Sequence, residues 1–177
     1  MEDTICAIAT CVGESSINII RISGDKAIEI VNKLFDKDLV NKPSNSITYG
    51  HIIYKNEIID EVLISKFVSP KSFTTEDVIE INTHGGVSTV TKIMTILQVE
   101  GCRLAEPGEF TKRAFLNGRI SLTEAEAIED LITAKNEASR KMAIKAINKN
   151  IYNIVKDLKS KIIPLLGNIE VNIDYPE

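Results

Sequence analysis

The chain has 177 residues, 44% hydrophobic and 26% charged, with a net charge of −4; this is room for one domain with a real core plus a second, partial element. With a pI near 5.4, no tryptophan and 5% aromatic residues, it is poorly suited to grip phosphates or stack bases over a broad nucleic-acid surface. No apolar run approaches the roughly 20 residues of a membrane span, and the acidic start Met1-Glu2-Asp3-Thr4 lacks a signal-peptide pattern, so the expected location is the cytoplasm.

In chain order, Thr4–Ala9 and Ile17–Ile22 read as strands rich in β-branched residues. Asp25–Phe35 reads as a helix with Ala27, Ile28, Val31 and Leu34 in a stripe. Ser46–Tyr54 and Ile58–Val68 flank Lys55-Asn56-Glu57 and read as a hairpin. Asp77–Thr83 is a further strand, whose alternation puts Ile79 and Ile81 on one face and Val78, Glu80 and Asn82 on the other. Val87–Glu100 is a helix with Val90, Ile93, Met94 and Leu97 on its stripe and Gly101 at its end. Short strands with few helices between them predict an α+β domain around one mixed sheet.

Pro107-Gly108 then breaks the chain, and Glu109–Asn117 makes a short helix that Gly118 closes. From there the period is helical. Ser121 and Glu124 form a capping box for a helix to Ala134. Asn136 caps a second helix carrying Ile144, Ile147, Ile151, Ile154, Leu158, Ile162, Leu165 and Ile169 at spacings of three and four. These make one seam of roughly 39 Å at 1.5 Å per residue, with Pro164 as a kink point. Little helical sequence is left to cover it, so it calls for another subunit or further helices. The predicted division is 1–118 and 119–177.

No catalytic motif stands out. There is no GxxxxGKS/T loop, HExxH or GxSxG. His51 and His84 have no spaced metal ligands, and Cys6, Cys11 and Cys102 form no CxxC pair and read as reduced thiols. What remains is a binding constellation, each member with a plain alternative. Glu80 is either an exposed strand residue or a carboxylate that takes two parallel hydrogen bonds from a 2-amino-4-oxo pyrimidine edge. Arg21 is either the ion-pair partner of a local acid such as Asp25 or a donor to a ligand oxygen. Arg119 has the same two readings, and with Arg113 it flanks a helix corner suited to gripping a carboxylate.

Five segments carry a family resemblance. They are DTICAIAT at Asp3–Thr10, IIRISG at Ile19–Gly24, SFTTEDVIEINTHGG at Ser72–Gly86, AEPGEFTKRAFLNGRISLTEAEAIEDL at Ala105–Leu131, and IDYPE at the end. In order and spacing they resemble the MnmE (TrmE) family of tRNA-modifying GTPases over nearly the whole chain. The resemblance implies an N-terminal domain that binds 5-formyltetrahydrofolate or methylenetetrahydrofolate in a pocket formed with a second subunit, then the first part of a helical domain. The family's folate-contacting arginine matches Arg21, its pterin-side glutamate matches Glu80, and its basic residue after AFLNG, commonly lysine, matches Arg119. The family's chemistry is one-carbon transfer in carboxymethylaminomethyl modification of the wobble uridine of tRNA, with an FAD-dependent MnmG-type partner. GTP, Mg and K ions belong to a separate GTPase domain that is not in this sequence, so GTP hydrolysis is not expected of it.

Two segments depart from the family. Its TPPGxGG turn is TCVGESS at Thr10–Ser16, and its FTGED turn is FTTED at Phe73–Asp77, with Thr75 in place of glycine. A threonine there is strained if the position needs φ > 0. Gly85-Gly86 fits either a close backbone approach by a ligand or partner chain, or a plain strand-to-helix turn. Two other functions fit the sequence: a structural dimerisation module without a ligand, which has no need of the Arg21/Glu80 pair, and a folate-dependent aminomethyltransferase-like domain, for which this chain is about half the usual length.

Overall fold

The computed structural model describes residues 3–11, 13, 15–148 and 150–174, with backbone alone for 150–153, 172 and 174. The chain divides into two compact units, Met1–Arg119 and Ile120–Glu177.

The first unit holds β1 (Ile5–Ile8), β2 (Ile17–Ser23), α1 (Ala27–Leu34), β3 (Ser46–Tyr54), β4 (Glu57–Phe67), β5 (Val78–His84), α2 (Val87–Val99), β6 (Arg103–Leu104) and α3 (Glu109–Leu116). The strands form one six-stranded sheet in the order β3-β4-β5-β2-β1-β6. Neighbours run antiparallel except for β1 and β6, which are parallel. This is the mixed-sheet α+β architecture expected from the sequence. Each predicted strand and helix of this unit falls within a few residues of its range. The two-residue β6 is too short to show a period; it forms because Arg103 and Ala105 donate their backbone N–H groups to the carbonyls of Thr4 and Cys6.

The side-chain period of two sorts the sheet into two faces. Cys6, Ile20, Ile22, Ile52, Val62, Ile64, Ile79 and Ile81 project to one face and meet Ala27, Ile30, Val31 and Leu34 of α1 and Val90, Ile93, Met94 and Leu97 of α2. Buried Lys66 is an addition on this side: its ammonium donates to the carbonyls of Leu39, Val40 and Lys42, closing the loop after α1. The hairpin turn is tighter than expected. Lys55 and Asn56 both have positive φ, the mark of a two-residue primed turn, so Glu57 starts β4.

The second unit holds α4 (Leu122–Thr133), α5 (Glu137–Ile147) and α6 (Asn150–Asp174). Ser121 and Glu124 make the expected capping box, and the Asn136 side chain caps α5 by accepting from the Ser139 N–H. The single long helix expected after Asn136 is instead two, since α5 ends with Asn148 as its C-cap. Asparagine is a weak helix former that favours helix ends, and the spacing of the isoleucines alone did not register that stop. Pro164 lies inside α6. Within this chain Ile154, Leu158, Ile162, Leu165 and Ile169 are all more than half exposed, so the seam is uncovered rather than buried. The side chain of Ile151 and residues 175–177 lie outside the described residues. No described helix is long and apolar enough to cross a membrane.

Candidate ligand-binding site

The sheet face opposite α1 and α2 carries the charged pair. Arg21 of β2 stands directly across from Glu80 of β5, and Glu80 directly across from Ser65 of β4. Antiparallel pairing at this register is what brings two residues 59 apart in sequence into contact. The guanidinium donates its Nε–H to Glu80 Oε1 at 2.8 Å, and its Nη2 lies 2.7 Å from the same oxygen as an ion-pair contact. Oε2 of Glu80 and Nη1 of Arg21 have no partner among the described residues. The two side chains are 22% and 31% exposed, so both still reach solvent. The ion-pair partner of Arg21 is thus Glu80, across the sheet, and not the local Asp25. Farther along the same face, Tyr49, Leu63, Asn82, His84 and Ile17 border a shallow groove of about 320 Å³.

At the other end, α3 and the 73–76 turn cover this face. Ser23, two residues beyond Arg21, donates to Glu76 Oε2 at 2.7 Å and meets the Thr74 hydroxyl at 2.6 Å. Arg113 of α3 anchors the cover. It is fully buried and donates to the Asp3 carbonyl and carboxylate, to both oxygens of Glu76, and to Glu109. Arg113 therefore does not flank an open corner as a carboxylate grip; three acids of its own chain already hold it. Two of its partners, Asp3 and Glu76, lie 110 and 37 residues away, a pairing that no local pattern announces. Arg103 braces the same cluster through Glu109 and Asp3. Chiefly the Arg103 hydrogen bond, with further ones from the Glu106 N–H and Arg113, holds the Glu109 carboxyl down at about 2 against the opposing effect of burial.

Arg119 is placed by the end of α3. Gly118 adopts φ +74°, and the N–H groups of Gly118 and Arg119 return to the carbonyls of Phe115 and Ala114. This is a Schellman closure, which needs a left-handed residue where glycine stands. It turns Arg119 toward the 73–76 turn, where its Nη1 donates to the Phe73 carbonyl at 2.8 Å and its Cζ lies 4.9 Å from the Phe73 ring centroid. Arg21 approaches the same ring at 6.0 Å and the Phe110 ring at 5.6 Å. All three residues singled out in the sequence, Arg21, Glu80 and Arg119, thus gather at one rim. Phe73 and Phe110, which the sequence reading passed over, are its walls. Their only sequence signal was position: Phe73 opens the FTTED turn and Phe110 is the second residue of α3, between Glu109 and the basic residues Lys112 and Arg113.

The departures from the family pattern have structural consequences. Thr75 has φ +62°, so the substituted position does require the left-handed region and carries a β-branched residue there. At Gly85 an added Cβ would fall 1.7 Å from the Ser15 carbonyl oxygen; the close approach is made by this chain's own loop, not by a ligand or partner. Gly86 is open. His84 donates its backbone N–H to Asp60 and pairs with it through Nδ1, and that hydrogen bond raises its pKa above the ordinary histidine value. Cys6 and Cys102 are buried free thiols and Cys11 is exposed.

Fold and site together define an α+β domain with a charged, aromatic-walled rim, continued into a run of amphipathic helices. Residues 4–119 match the family model described as the GTP-binding protein TrmE N-terminus, and residues 122–177 match the MnmE helical domain. The chain belongs to the MnmE (TrmE) family. It is 52% identical over 176 residues to the tRNA modification GTPase MnmE of Streptococcus thermophilus (strain CNRZ 1066), covering 99% of this chain and 39% of that protein. It is 53% identical over 176 residues to the tRNA modification GTPase MnmE of Acholeplasma laidlawii (strain PG-8A), covering 98% of this chain and 39% of that protein. The chain therefore spans about two fifths of the length of these relatives.

Proposed function

We propose that the rim formed by Arg21, Glu80 and Arg119 binds a reduced folate, 5-formyl- or methylenetetrahydrofolate, as one-carbon source for a GTP-hydrolysing enzyme that modifies the wobble uridine of tRNA. The observation that carries this reading is the state of the Arg21–Glu80 pair. Oε1 takes the Nε–H hydrogen bond and the close Nη2 contact, while Oε2 and Nη1 remain available. A ring edge that offers an N–H beside a carbonyl, as the pterin 2-amino-4-oxo side does, satisfies that acceptor and that donor in one approach. This differs from a carboxylate gripping the ring with both oxygens: one ring N–H goes to Glu80 and the ring carbonyl goes to Arg21. Arg119 adds a second positive charge for the ligand's anionic or carbonyl groups.

In this reading residues 1–118 are the folate-binding and dimerising domain and 119–177 are the first part of the helical domain. A homodimer completes the pocket, and the uncovered apolar side chains of α6 support the need for a partner, either another subunit or further helices. The rest of the longer protein supplies GTP hydrolysis with Mg and K ions. An MnmG-type FAD-dependent protein and tRNA join in the cytoplasm. The test is calorimetric titration of 5-formyltetrahydrofolate into the chain, with sedimentation equilibrium alongside. Saturable binding by a species of twice 19.6 kDa is expected; a clean monomer that takes up no folate contradicts both halves of the reading.

A further inference from the structure

We infer that Phe110 is a positioning residue for the rim, one that acts through Arg21 by holding its guanidinium in the orientation that leaves Glu80 Oε2 and Arg21 Nη1 facing a ligand. This rests on the folate reading for its ligand and on geometry for its mechanism. Arg21 is a long side chain at the edge of the part of the sheet face that α3 and the 73–76 turn cover, still 31% exposed, and a side chain of that length ordinarily samples many rotamers. Here its Cζ is 5.6 Å from the Phe110 centroid and 6.0 Å from that of Phe73, within range for attraction between a cation and an aromatic face from both rings. The two rings come from different elements, α3 and the 73–76 turn.

The stretch of α3 that carries Phe110 is held firmly. Phe110 sits beside Glu109, which takes hydrogen bonds from Arg103, Arg113 and the Glu106 N–H. Three residues on, fully buried Arg113 ties α3 to Asp3 and Glu76. The helix that carries the ring is therefore anchored on both sides of Phe110, which fixes where the ring stands relative to Arg21. Phe73 is a weaker candidate for this role, since Arg119 lies closer to its ring than Arg21 does, at 4.9 Å. Without Phe110 the guanidinium keeps Glu80 Oε1 and the more distant Phe73 ring but loses the nearer of its two aromatic faces, so it can pivot about Oε1 and the spacing of Oε2 and Nη1 is no longer fixed.

The test is calorimetric titration of 5-formyltetrahydrofolate into the unmodified chain, Phe110→Leu, Phe110→Tyr, Arg21→Ala and the Arg21→Ala/Phe110→Leu double variant. Leucine keeps apolar bulk but has no ring face. We expect Phe110→Leu to weaken binding about fivefold and Phe110→Tyr to stay within about twofold of the unmodified chain. Phe110→Leu should cause no further loss once Arg21 is alanine. An equal loss in the Arg21→Ala background overturns the inference, because the ring then acts on the ligand or the fold directly. A second readout needs no ligand: the Nε–H proton resonance of Arg21 should be sharp and exchange-protected in the unmodified chain and broadened in Phe110→Leu. If the unmodified chain takes up no folate, the folate reading fails, and this resonance alone decides the clamp; its persistence in Phe110→Leu overturns it.

Discussion

Replacing Arg113 by alanine removes the one cation that serves three carboxylates, and the structure indicates where the cost falls. Glu109 keeps Arg103 and the Glu106 N–H. Asp3 also keeps Arg103, and its side chain is 46% exposed, so water can replace what it loses. Glu76 is different: its side chain is 6% exposed and Arg113 is its only cation among the described residues, leaving it the Ser23 hydroxyl alongside the turn's own contacts. Stranding one buried carboxylate in this way typically costs about 3–5 kcal/mol, far more than losing a surface pair. We expect Arg113→Ala to lower unfolding free energy in urea by about that amount at neutral pH. Making Glu76 neutral in the same chain, Glu76→Gln with Arg113→Ala, should recover part of the loss, so the double variant should be less destabilised than the sum of the singles. The assay is urea denaturation followed by circular dichroism, with slopes compared to confirm a common unfolded state. A loss below about 1 kcal/mol, or strict additivity with Glu76→Gln, would mean the cluster is not the anchor described above.

Two other variants probe the same region. Thr75→Gly should raise the urea midpoint: relief of the left-handed conformation is worth about 1–2 kcal/mol, against about 0.5–1 kcal/mol for the greater freedom of unfolded glycine. A lower midpoint would show that the Thr75 hydroxyl, which donates to the Thr74 carbonyl, outweighs the strain. Glu109 has a folded pKa of about 2 against an ordinary 4.5. Its contribution is therefore fully present above pH 4.5 and lost as pH falls toward 2. The interval corresponds to about 3 kcal/mol, reduced to about 1–3 because Arg103 is partly exposed. Glu109→Gln should flatten the stability curve across that window; an unchanged acid limb would contradict the assignment.

Much of the first unit was legible because its faces are cleanly divided. The alternation of Ile79 and Ile81 with Glu80 and Asn82 placed Glu80 on the open face, and the Gly118 closure was visible in the AFLNGR segment. The family resemblance supplied the expected roles of Arg21, Glu80 and Arg119; strand register explains why Arg21 and Glu80 meet, and the Gly118 closure brings Arg119 to the Phe73 ring that Arg21 also approaches. What stayed hidden depended on distance in sequence. Beside the local Glu109, the acids that hold Arg113 come from the first strand's approach and from the 73–76 turn, so Arg113 read as half of an open carboxylate grip at the helix corner. Phe73 and Phe110 obey no period, and their value lies in a contact with a residue on another element. The α5–α6 break was missed because the isoleucine spacing runs on through Asn148, while the local cost of asparagine within a helix is small beside the apolar signal.

Glu80, as proposed above, reads the ring of a reduced folate. Its most direct test is calorimetric titration of 5-formyltetrahydrofolate into Glu80→Ala, with circular dichroism to establish that the variant is folded. Removing one side of a charge-assisted contact typically costs about 2–5 kcal/mol, so a loss of roughly 30-fold or more is expected at about tenfold per 1.4 kcal/mol. A folded Glu80→Ala chain that binds the folate as tightly as the unmodified one would show that Glu80 is only the ion-pair partner of Arg21, and that the ligand, if any, is held elsewhere.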